Sequence, residues 1–446
     1  MVVLIKTLQV ILALSILIVL HEFGHWFFAR LFGIRVEKFF LFFDFGGRKL
    51  FSTRSAWFRR LFPSSEDWET EYGIGWFPLG GYCKIAGMID ESLDLEQMSG
   101  EPQPWEFRTK KAWQRLLVMA GGVLNNFIFA LLAYCAIAGI WGQAYISNEG
   151  SCIYVNDLAY EMGFRNGDHI VSFDDYEPVD FGMLQADLAR RDVRTATVIR
   201  GGDTVRLYID HAMIGRVLNS ELMFDLAMPF VVDSVMAGSP NEGRGLERGD
   251  VVLALDGQST EFRQDAFRIL SEARGREMEA SVLRGADTLA IPVLVDTTGK
   301  IGIYLSALPN VCRETYNPVE CIPAGLKLTG ETISGYLKDL KLLAQPSSGA
   351  YKSVGSFIAI GQVFPSTWDW YRFLNILALL SIMLGVMNLL PIPGLDGGHI
   401  LFTLFEMLTG RKPGDKFLVA AQMIGMALLL MLMLLAFGND IGRLIH

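Results

Sequence analysis

The feature that most constrains this fold is an apolar run near the N-terminus that contains ionisable residues. From Thr7 to Leu20 the chain carries no charge, and it then reads His21-Glu-Phe-Gly-His25 before apolar residues resume at Trp26. A run of this length predicts a helix that enters a bilayer, because about 20 apolar residues cross the hydrocarbon core. Two histidines and a glutamate inside such a helix oppose insertion unless they bind something, so a functional site is the expectation.

The spacing H-E-x-x-H indicates which chemistry this site performs. On a helix, positions four apart share one face, so His21 and His25 can offer imidazole nitrogens to one Zn²⁺. Glu22 then lies beside the open coordination position, where a general base is needed. The alternative is a chance match of a short motif, and the apolar surroundings argue against it.

Three further segments are long and apolar enough to span a membrane. Together with the 51% hydrophobic composition they predict a polytopic α-helical membrane protein of about four transmembrane helices. For the third and fourth segments the alternative is buried helices of a soluble domain, which their charge-free length disfavours. The predicted spanning segments are residues 1–34 with H-E-x-x-H, 113–142, 371–400 and 415–438.

Lysine and arginine near the span ends predict the orientation of the chain. The loop after the first span, the approach to the second and the loop between the third and fourth all carry basic residues. With four spans these loops share one side, which the positive-inside rule makes cytoplasmic. The histidines then lie toward the cytoplasmic half of the first span, and the long middle segment lies outside. The basic residues are Arg30, Arg35, Lys38, Arg48, Lys49, Arg54, Arg59, Arg60, Lys110, Lys111, Arg115, Arg411, Lys412 and Lys416.

The cytoplasmic-side region 35–112 contains two strand-like stretches. Val36–Phe51 mixes aromatic residues with a Gly-Gly turn and predicts a strand–turn–strand that dips into the membrane against the helices. Tyr72–Ile85 predicts a second strand, which Pro78 places at a sheet edge. An edge strand beside a protease site can pair with an extended substrate backbone. A plain interfacial sheet is the alternative.

The second span carries Gly122 and Asn126 four residues apart, on one helix face. A small residue followed by a polar one at this spacing favours close helix packing with an interhelical hydrogen bond. This structural role is preferred over a direct catalytic one.

The middle of the chain contains an internal repeat. The glycine- and aspartate-containing stretch Gly163–Asp174 aligns with Gly245–Asp256, and Val198–Thr204 aligns with Val282–Thr288. The spacing predicts two α+β domains of about eighty residues with one helix apiece, inserted between the second and third spans. The glycine–aspartate pattern resembles PDZ domains, which bind peptides by strand addition; here they are equally expected to screen the membrane site. The predicted boundaries are 148–226 and 227–307, followed by an amphipathic linker at 323–370.

Two histidines leave a catalytic zinc site one protein ligand short. The candidates are Asp396 and His399, which follow Asn388 in a stretch where prolines and glycines break the third span. Imidazole is the better zinc donor, whereas Asp396 is the only acid between Arg372 and Glu406. The residues alone leave both open.

Taken together, H-E-F-G-H, the later N-x-x-P-x-P-x-L-D-G-G and the PDZ-like copies resemble the site-2 protease family of intramembrane zinc metalloproteases. The resemblance covers nearly the whole chain and is nearest to the bacterial sigma-E-regulating type with two tandem PDZ domains. It implies Zn²⁺ on His21, His25 and Asp396 with Glu22 as the catalytic base, and it places Asn388 near the substrate backbone.

The resemblance also implies a substrate-binding region, and the chain departs from the family pattern there. The membrane-re-entrant loop carries Asp44 where a glycine-rich motif is usual, and an acidic side chain there is expected to alter substrate preference. Gly122 and Asn126 match the family's G-x-x-x-N element. The implied substrate contacts are Phe43, Asp44 and Phe45 in the loop and Gly73, Ile74, Gly75 and Trp76 in the sheet.

The expected reaction is hydrolysis of peptide bonds within transmembrane segments of pre-trimmed single-span proteins, such as anti-sigma factors, or of signal-peptide remnants. The expected location is the bacterial inner membrane, with the PDZ-like domains outside and possible peptide ligands on them. The alternative is a membrane-embedded PDZ scaffold with a structural metal site. A net charge of −9 without a basic block excludes a nucleic-acid partner.

Overall fold

The computed structural model describes residues 2–78, 80–88, 101–307, 310–345, 355 and 357–445. These residues form two compact units, which we call the helical unit and the strand-rich unit. The helical unit comprises Met1–Gln143, Thr315–Lys338 and Val354–His446, and the strand-rich unit comprises Ala144–Glu314 and Asp339–Ser353.

Twelve α-helices lie in the described residues. In chain order they are α1 (Val2–Leu31), α2 (Ala56–Leu61), α3 (Ala112–Trp141), α4 (Asp157–Glu161), α5 (Leu184–Arg190), α6 (His211–Asn219), α7 (Arg263–Glu272), α8 (Cys321–Leu343), α9 (Phe357–Val363), α10 (Trp370–Leu389), α11 (Asp396–Thr409) and α12 (Asp415–Ile445).

The same residues contain seventeen β-strands. They are β1 (Val36–Leu41), β2 (Lys49–Ser52), β3 (Glu71–Gly75), β4 (Tyr82–Ile85), β5 (Gln143–Ile146), β6 (Cys152–Val155), β7 (His169–Phe173), β8 (Thr195–Arg200), β9 (Asp203–Tyr208), β10 (Phe224–Ala227), β11 (Phe230–Val235), β12 (Val251–Leu255), β13 (Gln258–Ser259), β14 (Glu277–Arg284), β15 (Asp287–Leu294), β16 (Ile303–Leu305) and β17 (Val311–Glu314).

Four helices among the described residues are long and apolar enough to cross a membrane, as the sequence predicts. They are α1, α3, α10 and most of α12. The predicted third span is wrong at its end, because α10 stops at Leu389 and Asp396 opens the separate helix α11. Pro391 and Pro393 explain the break, since proline lacks the N–H that an α-helix needs and disfavours helical geometry in the residue before it.

Helices α1 and α3 pack closely because both carry glycine where they cross. A Cβ atom added to Gly24 would overlap the backbone of Gly121, and one added to Gly121 would overlap Gly24. Helix α3 also contacts α10, where the Ser381 hydroxyl donates a hydrogen bond to the Asn126 carbonyl over 2.9 Å. On α1, helix α3 faces His21 and His25, because a Cβ atom at Gly122 would overlap both rings.

The sheet of the helical unit corrects two predictions about strand placement. Its strand order is β2-β3-β1-β4, so β1 and β2 are separated by β3 and do not form the adjacent pair that strand–turn–strand suggests. Strand β3 is parallel to β1 and antiparallel to β2. It fits between them because Cβ atoms at Gly73 and Gly75 would overlap the Phe40 ring and the Phe43 backbone.

The predicted edge strand Tyr72–Ile85 is therefore two strands with different positions. The first, β3, lies between two strands and is not an edge, whereas β4 stands at one end of the strand order among the described residues. Pro78 lies in the connection and not in a strand. Proline is excluded from central strands, and Pro78 lies outside the strands in this structure. The prediction was wrong because it treated Tyr72–Ile85 as one strand.

An ion pair joins the two strands at the opposite edge of this sheet. The buried Glu71 carboxylate on β3 accepts hydrogen bonds from Lys49 over 2.6 Å and from Ser52 over 2.5 Å. Burial alone raises the pKa of Glu71, but these two hydrogen bonds and the Lys49 charge hold that pKa below its usual value.

The strand-rich unit has two separate hydrophobic cores. One is built from residues between Ile153 and Met228, the other from residues between Phe230 and Ile301. Helix α5 lies in the first half and helix α7 in the second. The prediction of one helix apiece is wrong for the first half, which also contains α4 and α6, because these short helices lack a long apolar periodicity.

The aligned positions of the two halves make the same contacts. The fully buried Asp168 pairs with Arg200 over 2.7 Å, and the fully buried Asp250 pairs with Arg284 over 2.7 Å. In each half the arginine also donates to the carbonyl of the aligned glycine, as the pairing of Arg284 with Gly245 illustrates.

The predicted linker 323–370 begins in α8, in agreement with its helical periodicity. Residues 346–354 and 356 of the linker lie outside the described residues. None of the five cysteines forms a disulfide in the described residues.

Candidate metal centre

The site is built first from two histidines on α1. His21 and His25 are both buried, and their Nε2 atoms are 3.3 Å apart. One helical turn separates them, so both rings project from the same face of α1 toward α3 and α11.

Asp396 completes a triangle of donor atoms. Its Oδ2 lies 3.2 Å from His21 Nε2 and 3.3 Å from His25 Nε2. This oxygen is buried and has no hydrogen-bond partner, which is costly for a carboxylate unless an ion binds it. Ligands placed about 2.0–2.1 Å from a tetrahedral zinc ion lie about 3.3 Å from one another, so the triangle fits the metal that the sequence implies.

The glycines and prolines around Asp396 explain how its carboxylate reaches α1. Helix α11 starts at Asp396, directly after the proline-broken turn. Cβ atoms at Gly397 and Gly398 would overlap the carbonyls of Leu390 and Ile392, so glycine lets α11 fold back tightly against that turn. His399, the rival ligand in the sequence, is absent from the donor group found among the described residues.

Hydrogen bonds behind the ligands orient both imidazole rings. His25 Nδ1 lies 2.8 Å from the Val118 carbonyl and donates to it, which leaves the Nε2 lone pair facing Asp396. His21 Nδ1 lies 3.1 Å from the Asn126 amide. The Asn126 Oδ1 atom is buried without a partner, and turning the amide over lets it accept the Nδ1 hydrogen.

Helix α3 also supplies the back wall of the site. A Cβ atom at Gly122 would overlap His25 Nε2 and would lie 2.7 Å from the His21 ring. The predicted packing role of Gly122 and Asn126 is therefore a packing role against the two histidines themselves. Asn388 approaches from the end of α10, with its Nδ2 3.4 Å from His21 Nε2.

Glu22 connects this site to the sheet. Helix α1 packs against β4, and the Glu22 carboxylate, next to His21 in the chain, lies near the backbone of Cys83 on that strand. Strand β4, which ends the strand order in the described part of the sheet, thus lies beside the residue expected to act as base. An extended peptide paired with β4 would run past Glu22.

The predicted substrate contacts divide into two groups. Gly73, Ile74 and Gly75 lie on the interior strand β3, so their backbone groups are occupied by β1 and β2. Trp76 follows that strand, and its indole Nε1 donates a hydrogen bond to the Phe45 carbonyl over 2.9 Å. Phe43, Asp44 and Phe45 lie in the turn after β1, next to β4.

Sequence reasoning misses three contacts of the site. Cys83 and Val118 take part through their backbones, and Asn125 donates its side-chain amide to the Leu20 carbonyl of α1. The first two have no side-chain signal, because any residue offers the same backbone groups. Asn125 does carry a side-chain signal, because a second asparagine in an apolar span predicts a polar partner.

Comparisons with known proteins place this geometry in context. The model of Peptidase family M50 matches residues 9–432. A putative zinc metalloprotease of Neisseria meningitidis is 28% identical, with 98% of this chain and 99% of that protein aligned. The regulator of sigma-E protease RseP of Escherichia coli is 30% identical over 97% of this chain and 98% of its own length. A putative zinc metalloprotease of Vibrio cholerae is 29% identical over 97% of this chain and 98% of its own.

Proposed function

The chain belongs to peptidase family M50, the site-2 proteases, and from that premise we propose that this zinc metalloprotease cuts peptide bonds inside the membrane. One observation carries the proposal most directly. The three donor atoms of His21, His25 and Asp396 converge within about 3.3 Å of one another, and two of them belong to a helix apolar enough to span a bilayer.

The proposed division of labour follows from the positions of these residues. His21, His25 and Asp396 hold the zinc ion, which supplies Lewis-acid activation of water and of the scissile carbonyl when bound. Glu22 accepts a proton from the attacking water on its carboxylate and passes it to the leaving amine nitrogen. The Asn388 amide, close to the ligands, donates a hydrogen bond to a substrate carbonyl.

Substrate presentation is assigned to the sheet edge. A transmembrane helix keeps its carbonyls in i→i−4 hydrogen bonds, so it must unwind before a bond can be attacked. We assign the role of holding the unwound segment extended to β4, which ends the strand order in the described part of the sheet and lies next to α1 near Glu22. This assignment replaces the interior residues Gly73–Gly75 with β4 as the backbone partner.

The proposed substrates are single-span membrane proteins trimmed by an earlier cut, such as anti-sigma factors, or signal-peptide remnants. The proposed location is a bacterial inner membrane. The relative from Escherichia coli is named for regulation of sigma-E, which motivates the first class.

We propose that the two halves of the strand-rich unit are PDZ-like domains that exclude substrates with large outer domains. Their separate cores and matched Asp–Arg pairs support a tandem repeat. Removing residues 150–306 should allow untrimmed substrates to be cut. Unchanged selectivity in that variant would eliminate the filter and leave peptide binding as the role of these domains.

The proposed topology places Cys83 on the cytoplasmic side and Cys152 outside. A membrane-impermeant thiol reagent added to intact cells should modify Cys152 and spare Cys83, while both react after permeabilisation. Modification of Cys83 alone in intact cells would mean that the topology is the reverse of the proposed one.

The reaction itself is tested with purified protein in detergent and a short single-span substrate. Wild type should cleave, whereas Glu22→Gln and chelator-treated wild type should not, with zinc still bound in Glu22→Gln. A structural zinc site needs no base, so unchanged cleavage in Glu22→Gln would reject Glu22 as the base. Zinc-loaded wild type that cuts no member of a panel of single-span substrates would favour the scaffold alternative.

A further inference from the structure

The turn between β1 and β2, residues 42–47, which we call the tip, adopts an unusual backbone. Phe42 has a φ of +68°, a conformation that a bulky residue rarely takes, and Gly46 and Gly47 are also left-handed. Phe43 is paired with Phe77 through two backbone hydrogen bonds of 3.2 Å. Something must hold a tip of this kind in place, because left-handed Phe42 is strained.

Asp44 makes side-chain contacts that do so. Its Oδ1 accepts a hydrogen bond from the Tyr82 hydroxyl over 2.8 Å, and its Oδ2 lies 3.5 Å from Lys38 Nζ. Lys38 is also 3.4 Å from the same hydroxyl. Asp44 is only 17% exposed. Both oxygens of this carboxylate are thus directed at groups of the protein.

Aromatic stacking reinforces the same connection. The Tyr82 ring stacks on Phe40 with centroids 5.5 Å apart and lies nearly parallel to Phe43 at 6.2 Å, and Phe43 stacks on Phe45. Lys38 Nζ lies over the Phe40 and Tyr82 rings. A charge over aromatic faces and a buried hydroxyl–carboxylate bond are both strengthened by exclusion of water.

Tyr82 links the tip to the proposed reaction centre. It is the first residue of β4, the strand that packs against α1 near Glu22. Tyr82 pairs with Phe40 of β1 in the antiparallel register, so both anchor points of the tip lie on the same pair of strands. Movement of the tip is therefore coupled to the strand expected to hold the substrate.

We propose that Asp44 is a positioning residue which locks the tip onto β4 through Tyr82 and onto β1 through Lys38, and that it does not meet the substrate. The tip then offers apolar surface beside the substrate strand, chiefly the Phe45 ring, which is 57% exposed. Selection near the scissile bond is for apolar side chains and not for basic ones. This proposal deepens the proposed function. Its consequence for substrate selection rests on the proposed function, whereas the contacts that hold the tip do not.

The lock is tested first without any activity measurement. Hydrogen exchange of the Phe43 and Phe77 amides is compared in wild type, Asp44→Ala, Tyr82→Phe and the double variant. Loss of the hydrogen bond between Asp44 and Tyr82 should speed exchange about fivefold in Tyr82→Phe and at least as much in Asp44→Ala, which also loses the Lys38 contact, and the double variant should exchange little faster than Asp44→Ala. Glu37→Gln is the matched control. Glu37 lies on β1 next to Lys38, and it pairs with Lys84 and not with the tip.

The proposed lock would be refuted if Asp44→Ala and Tyr82→Phe exchanged at the wild-type rate. It would also be refuted if their effects added fully in the double variant. Asp44→Asn separates the two contacts, because an amide oxygen still accepts the Tyr82 hydroxyl while the charge facing Lys38 is gone. Its exchange should fall between wild type and Asp44→Ala.

The consequence for specificity is tested with two substrates that differ by leucine or lysine near the scissile bond. Asp44→Ala and Tyr82→Phe should raise KM severalfold for both, with kcat less affected and the ratio of the two substrates unchanged. Selective loss of the lysine substrate in Asp44→Asn would mean that the carboxylate contacts substrate and would reject the proposal. Absence of cleavage by wild type would count against the proposed function, and the exchange data would still decide the lock.

Discussion

Substituting Gly122 by alanine tests whether α3 forms the back wall of the metal centre. The added Cβ would lie 2.7 Å from His21 Cε1 and closer still to His25 Nε2, whereas ordinary contacts begin at about 3.4 Å. The His21 ring must therefore move by about 0.7 Å, and His25 by more. Zinc–ligand distances tolerate only about 0.2 Å, so both rings cannot keep their positions on one ion.

The expected magnitudes differ sharply from those of a matched control. Overpacking costs about 1–3 kcal/mol, and a misplacement approaching 1 Å costs about 10²-fold in rate. Gly139→Ala lies on the same helix, but its Cβ would meet only Cys321 at 3.5 Å, an ordinary contact. This control gains the helix propensity of alanine, up to about 1 kcal/mol, and should be neutral or stabilising.

The assay measures zinc content, cleavage rate and thermal unfolding of both purified variants. Gly122→Ala should lose most of its zinc and about 10²-fold in cleavage rate, while Gly139→Ala should match wild type. A Gly122→Ala variant that keeps its zinc and cleaves within threefold of Gly139→Ala, roughly 0.7 kcal/mol, would refute the back-wall assignment.

Three further predictions concern the supports of the site. The folded-state pKa of Glu71 is lowered, so its charge contributes stability above the unfolded pKa, and this stability is lost as pH falls through the lowered pKa. The difference in unfolding temperature between wild type and Glu71→Gln should therefore shrink below about pH 4.5. Glu406→Gln should reduce the free energy of unfolding by about 3 kcal/mol, because it breaks a largely buried pair with Arg115 at 2.5 Å, and the variant Arg115→Met/Glu406→Leu should recover part of that loss in a denaturant titration. Gly425→Ala should lower zinc retention on dialysis, because its Cβ would overlap the Pro393 carbonyl in the turn before α11. Zinc retention equal to that of wild type would mean that the turn does not support the metal centre.

The metal centre could be predicted from the sequence because its signals are local. Four-residue spacing on one helix puts His21 and His25 together regardless of the rest of the fold. Proline and glycine around Asp396 predict a broken helix, and the structure places the break between Leu389 and Asp396. The choice between Asp396 and His399 is not local, since it depends on how α11 packs against α1.

The sheet could not be predicted to the same degree, because strand order depends on contacts distant in sequence. Strand β3 enters between β1 and β2 only because Gly73 and Gly75 leave room for Phe40 and the tip backbone. The sequence shows these glycines but not what fills the space they leave. Asp44 illustrates the same limit: its charge is visible in the sequence, whereas its partner Tyr82 is 38 positions away.

The central claim is that His21, His25 and Asp396 hold one zinc ion in the membrane-spanning part of the protein. The most direct test is the zinc content of purified, dialysed wild type, Asp396→Asn and His399→Ala. Wild type and His399→Ala should retain about one zinc ion per chain, and Asp396→Asn should lose most of it. Full retention in Asp396→Asn together with loss in His399→Ala would contradict the account and make His399 the third ligand.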